Sequence, residues 1–146
     1  MKIGVPKEIK SQESRIGLTP QSVKILVLEG HDVIVENDAG LEAGFENKEY
    51  IEAGAKISKT AIDIFSDAEI IVKVKEPQKK EVEMIKENQI IYTYFHLAAA
   101  KELTDSLIKS KSINIAYETV TDNNGGLPLL APMSAVAGRM SVQAGA

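Results

Sequence analysis

Three cations and one imidazole in this sequence sit where side chains can reach a bound molecule. Lys73 and Lys75 end the apolar, β-branched run Ile70-Ile71-Val72-Lys73-Val74-Lys75, and Pro77 stops it. His96 ends a second such run, Gln89-Ile90-Ile91-Tyr92-Thr93-Tyr94-Phe95-His96. Arg15 lies in a polar stretch that follows a short apolar run at the start of the chain. A guanidinium presents a planar fork that matches a carboxylate, an ammonium offers a point charge for developing negative charge, and an imidazole exchanges a proton near neutrality. The plain alternative is that the lysines snorkel to water at a strand end, the histidine packs in a core and the arginine is solvated. Two neighbouring strands that aim a lysine and a histidine at one edge tip the balance toward acid/base work by His96.

The elements that would carry these groups follow from hydrophobic periodicity. Apolar runs without alternation suit strands covered on both faces, as in parallel sheets, whose ligands sit at the carboxyl ends of the strands. A side-chain period of two puts Lys73 and Lys75 on the same face, and leaves open which of them lines a crevice. Residues 2–5 form a first strand that Pro6 ends, and 7–17 form a polar loop. Thr19 caps a helix with Pro20 at its first position, Val23, Leu26 and Val27 give it an apolar stripe, and Gly30 stops it before a strand over 32–36. Asn47 is placed to cap a short helix through residue 53, with a brief strand over 56–58 and a helical turn over 61–65. Helices over 78–85 and 101–109 flank the histidine strand, and a last strand covers 112–117. The rhythm predicts an α/β fold: a doubly wound, mainly parallel sheet with helices on both faces, Rossmann-like or flavodoxin-like. After the turn cluster Asp122-Asn123-Asn124-Gly125-Gly126, the tail from Leu130 reads as a helix of small residues capped by Ser134.

Composition sets outer bounds. The 146 residues are 44% hydrophobic and 26% charged, which suits one domain with a real core. A formal net charge of -4 argues against a nucleic-acid partner. There is no cysteine, which excludes disulfides, zinc-cysteine sites and thiol catalysis. The first residues lack the apolar core of a signal peptide and no later run reaches membrane-spanning length, so the expected location is the cytoplasm and no membrane partner is expected.

Several separated stretches, taken in order, carry a resemblance: Lys7-Glu8 through Arg15-Ile16-Gly17-Leu18-Thr19-Pro20, Val74-Lys75-Glu76-Pro77, Phe95-His96-Leu97-Ala98, Tyr117-Glu118-Thr119 and Pro132-Met133-Ser134. Together they resemble the amino-terminal domain of NAD-dependent alanine dehydrogenases, within the alanine dehydrogenase and transhydrogenase family. The resemblance implies oxidative deamination of L-alanine to pyruvate and ammonia, with NAD as the hydride acceptor. It implies that Arg15 holds the substrate carboxylate, that Lys75 bonds the substrate's oxygen or nitrogen centre and that His96 is the acid/base. It further implies that Tyr94 and Met133 border the substrate pocket, that Ser134 lies near the cofactor, and that full-length relatives are hexamers.

In that family the nicotinamide cofactor is bound mainly by a later glycine-rich domain, and no Gly-x-Gly-x-x-Gly follows any strand here. The expected organisation is therefore a substrate-binding α/β domain over 1–133 and the start of an interdomain helix over 134–146, as a piece of a longer protein that is inactive alone and at least dimeric. Two other readings remain: the first domain of the nucleotide-binding subunit of a proton-translocating transhydrogenase, and a non-catalytic binding or assembly module. Lys75 and His96 together favour the dehydrogenase.

Overall fold

The computed structural model describes residues 1–146. Six strands, β1 (Lys2–Val5), β2 (Asp32–Glu36), β3 (Lys56–Ser58), β4 (Ile70–Lys75), β5 (Ile90–Tyr94) and β6 (Ile113–Ala116), form one sheet in the order β3-β2-β1-β4-β5-β6. Every neighbouring pair is parallel, so the sheet is wholly rather than mainly parallel. The strand order reverses between β1 and β4. In an open parallel sheet, such a switch point leaves a crevice outside the carboxyl ends of the strands.

Helices cover both faces because each strand's side chains alternate between them. Ile3, Val5, Val33, Val35 and Val72 face one side and pack with Val23, Leu26 and Val27 of α1 (Pro20–Leu28) and with Tyr50 and Ala53 at α2 (Asn47–Glu52). Ile71 and Ile91 face the other side, against Ile64 and Phe65 of α3 (Ala61–Asp67) and Leu107 of α5 (Lys101–Ser110). Gly4 makes this second packing possible, since a Cβ there would lie 2.5 Å from Cγ2 of Ile64. Buried Gln89 ties β5 to the end of α3, donating from Nε2 to the carbonyls of Phe65 and Ala68 at 2.8 Å each. No helix is long and apolar enough to cross a membrane.

Local chemistry explains where elements begin, and where the sequence misleads. Thr19 does cap α1, accepting from Ser22 N, with Pro20 in the first turn. Asn47, in contrast, is not a helix cap. Glu46 and Glu49 form a reciprocal capping box at α2, while Asn47 Oδ1 accepts from Asp38 N and steadies the turn after β2. A second box, from Gln78 and Glu81, opens α4 (Lys79–Val82), which is one turn long rather than extending over 78–85. Ser134 is not a cap either. The last helix, α6 (Ala131–Gly145), begins three residues earlier with Pro132 in its first turn, and Ser134 Oγ donates to the carbonyl of Leu130. The boundary expected at residue 134 therefore falls inside a helix.

Candidate functional site

The crevice at the β1/β4 switch is framed by the loop leaving β1 and by the ends of β4 and β5. Loop residues 6–19 are not a free polar segment. Gly17 lies against the backbone of β4, where an added Cβ would stand 2.5 Å from the carbonyl oxygen of Val72. The hydroxyl of fully buried Tyr50 donates to Leu18 O at 2.9 Å, which fastens the same corner. Burial pushes that phenol up to about 12, and the Glu49 charge adds to it. Arg15 is thus carried on a loop with two fixed points just beyond it.

Arg15 is half exposed, and its fork is already engaged on one side. Nε donates to Glu13 Oε1 at 2.8 Å and Nη2 to Glu13 Oε2 at 2.6 Å. This bidentate contact holds the Glu13 carboxyl down at about 2, the Arg15 hydrogen bond outweighing burial, with the charge of Lys75 contributing. The side-on pair is used and the end-on edge, Nη1 with the second proton of Nη2, makes no hydrogen bond within the chain and has the shape to pair with a carboxylate. Beyond a small hollow beside Glu8 and Glu13, Arg15 borders two clefts. One, of about 330 Å³, is shared with Gly17, Phe45, Lys73, Val74, Tyr94 and Tyr117. The other, of about 370 Å³, is shared with Pro132, Met133, Val136, Ala137 and Met140.

A bulge separates the surroundings of the two lysines of β4. Val72 pairs with Tyr92 and Lys75 with Tyr94, so three steps on β4 match two on β5. The extra residue breaks the period of two that would have put Lys73 and Lys75 on one face. Lys75 comes opposite Tyr94 and is half-buried. Lys73 turns inward and is wholly enclosed, donating to Glu81 Oε1 at 2.7 Å and Glu8 Oε2 at 3.1 Å. Burial raises the Glu81 carboxyl even against the opposing pull of Lys73. Lys73 is therefore a structural ion-pair residue.

His96 lies two residues past the end of β5, the strand next to that of Lys75. Its backbone is left-handed, with φ 52°, a conformation unfavourable for a residue with a Cβ. The Glu118 carboxylate offsets that cost by accepting from His96 N at 2.8 Å and Phe95 N at 3.0 Å. The exposed imidazole is stacked on Tyr94, with ring centroids 6.4 Å apart and planes 17° from parallel. Tyr94 meets Tyr117 edge to face at 4.7 Å, and its hydroxyl donates to Leu129 O. Burial, followed by the neighbouring Tyr92, Tyr94 and Glu8, raises the Tyr117 phenol. Burial alone would raise Glu76, but the hydrogen bond and charge of Lys10, with a contribution from His96, hold its carboxyl below the usual range.

Tyr94 is thus the common neighbour: Arg15 shares its cleft, Lys75 pairs across from it and His96 stacks on it. Lys75 and His96 lie outside the walls of both clefts that Arg15 borders. Met133 borders the second cleft, and Ser134 is exposed on α6 next to it. The supporting acids Glu8, Glu13 and Glu118 are what sequence reasoning passed over. Glu8 and Glu118 stand inside stretches that carry the family resemblance, and Glu13 is two residues from Arg15, but nothing in spacing says that their carboxylates turn back onto backbone or guanidinium.

The same geometry bears on a dinucleotide. A pyrophosphate sits on backbone N–H groups at a glycine-rich turn into a helix. Here β1 runs instead into Pro6 and a loop that buries the Glu8 carboxylate at the switch point. These residues do not form a full dinucleotide site.

Residues 4–137 match the family described as alanine dehydrogenase/PNT, N-terminal domain. The chain is 53% identical over 146 residues to an alanine dehydrogenase of Methanococcus maripaludis and 54% identical to one of Halomonas elongata. In both cases it is matched over 100% of its length and spans 39% of theirs. An L-alanine dehydrogenase structure superposes with a TM-score of 0.95 at 52% identity, over 100% of this chain and 40% of that one. A transhydrogenase from Sinorhizobium meliloti superposes less closely, with a TM-score of 0.79 at 27% identity, over 85% of this chain and 35% of that one. With the match covering nearly the whole sheet and every element of the crevice, the chain belongs to the alanine dehydrogenase/PNT N-terminal domain family.

Proposed function

We propose that this chain is the substrate-binding part of an NAD-dependent alanine dehydrogenase, which converts L-alanine, water and NAD to pyruvate, ammonia and NADH. The observation that carries the reading is that Arg15, Lys75 and His96 each neighbour Tyr94 at the carboxyl end of β5, beside the sheet's switch point. NAD would receive the hydride from the alanine Cα, and it is bound mainly by residues outside this chain.

Arg15 binds the substrate carboxylate with its end-on edge while Glu13 holds its other edge. Lys75 bonds the heteroatom on Cα, where charge changes as the amine becomes a carbonyl. His96 moves the proton at that heteroatom or at the water that attacks there. Tyr94 and Met133 bound the pocket and Ser134 borders the cofactor side. The higher identity to alanine dehydrogenases than to the transhydrogenase favours amino-acid chemistry over hydride exchange between two nucleotides.

The test is NADH formation by the full-length protein. It is expected with L-alanine and NAD, and in reverse with pyruvate, ammonia and NADH. Hydride exchange between nucleotides with no alanine-dependent NADH would favour the transhydrogenase reading instead. Self-association through the exposed apolar side chains Val136, Met140 and Val142 of α6 is part of the same proposal, with a second copy of the chain as occupant. Light scattering is expected to give at least a dimer, and a monomer at every concentration contradicts it.

A further inference from the structure

Strand β1 pairs with β4 only at Ile70 and Ile71, and beyond that point the β1 side of β4 is met by a side chain rather than a strand. Glu8 Oε1 accepts from Val74 N at 2.6 Å and from Lys75 N at 3.3 Å. These are the amides of the bulge that carries Lys75 out of step with Lys73. Glu8 Oε2 is held by Lys73 Nζ at 3.1 Å, and Lys73 is shared with Glu81 at 2.7 Å. The side chains of Glu8, Lys73 and Glu81 are between 0% and 2% exposed, so no water can substitute for a lost contact without opening the core.

We propose that Glu8 is a positioning residue for Lys75: its buried carboxylate, charge-balanced by Lys73, holds the β4 bulge in the form that presents the Lys75 ammonium to substrate. This rests on the reading of Lys75 as a substrate ligand. A bulge re-aims a side chain only while its unpaired amides have a partner. Glu8 supplies that partner from the loop that also carries Arg15, so one residue couples the two cations meant for one substrate. Lys73, whose ammonium is enclosed between Glu8 and Glu81, has its reason in this arrangement.

Glu81 provides the control, because it neutralises the same ammonium but touches α4 rather than the bulge, accepting from Gln78 N at 2.7 Å. Glu8→Gln and Glu81→Gln each remove one carboxylate from Lys73 and put an amide donor against an existing donor. Both should lower the thermal midpoint. In the full-length enzyme, Glu8→Gln is expected to lower kcat/KM for alanine at least about tenfold more than Glu81→Gln does, through both kcat and the alanine KM, with the NAD KM unchanged. A smaller difference between the two variants overturns the proposal, as does an equal rise in the NAD KM. Where a glutamine variant does not fold, the aspartate variant replaces it at that position, and failure of every Glu8 variant to fold also overturns it. Wild type and Lys75→Ala run alongside: if Lys75→Ala keeps wild-type kinetics, the substrate reading of Lys75 has failed, not the role of Glu8 in holding the bulge.

Discussion

Arg15 shows how much of the site depends on neighbours whose role lies in geometry. Its residue type points to a carboxylate, but the structure gives that fork to Glu13 on one edge and leaves the other. Arg15→Lys keeps the charge and loses the fork, so the alanine KM should rise by an amount equivalent to about 1.5–3 kcal/mol of binding, with a smaller change in kcat. Steady-state kinetics of the full-length enzyme check it. Glu13 itself makes a pH prediction. Its carboxyl is lowered from 4.5 to about 2 by Arg15, so the folded state binds fewer protons than the unfolded chain across that window. The stabilisation is present above 4.5 and is lost as pH falls toward 2, and Glu13→Gln should remove that dependence. Urea midpoints at about pH 5 and about pH 3 should therefore differ less for the variant than for wild type, by an amount kept small by the exposure of Arg15. Legibility at this scale was uneven. Arg15 could be chosen from residue type in a polar loop and His96 from its place after a strand, Lys75 was set apart from Lys73 only by the family resemblance, and Glu8, Glu13 and Glu118 act through contacts that spacing does not encode.

Strands β4 and β5 were readable because a parallel strand buried on both faces leaves an uninterrupted apolar run, and both runs here end in ionisable residues. The bulge was not readable, since an inserted residue leaves composition and length intact and shows only in register. Lys73 and Lys75, expected on a common face, consequently differ in surroundings, Lys73 enclosed between Glu8 and Glu81 and Lys75 half-buried. Helix starts failed for a related reason. Asn47 and Ser134 have capping chemistry, but Glu46 with Glu49 supplies a two-way cap one residue earlier, and Pro132 suits the first turn of a helix that starts at Ala131. The loop from β1 makes a testable claim at this scale. Gly17 presses on the Val72 carbonyl with no room for a methyl group, and the obstacle is backbone. Gly17→Ala should cost about 1–3 kcal/mol of stability and raise the alanine KM as the Arg15 loop lifts from β4. Chemical denaturation and kinetics check the two effects separately, and an unchanged KM would show that the loop does not set Arg15.

For the molecule as a whole, the strand order and its switch point place the crevice, and the chain provides one wall of it. At the end of β1 the buried Glu8 carboxylate stands where a dinucleotide fold has its glycine-rich turn, which supports the proposal that this wall faces substrate. The chain spans 39% of the length of the curated relatives it matches, and under the proposed function the proton is handled here and the hydride acceptor elsewhere. Because a nicotinamide must be held in contact with the substrate for hydride transfer, the purified 146-residue chain should give no alanine-dependent NADH. That division is tested most directly by His96→Ala in the full-length enzyme, measured for turnover against pH and for NAD binding. Turnover should fall by about 10² to 10⁴, the pH dependence of turnover should change, and NAD affinity should stay as in wild type. Near-normal turnover with an unchanged pH profile would contradict the account and make His96 a residue of the surface alone.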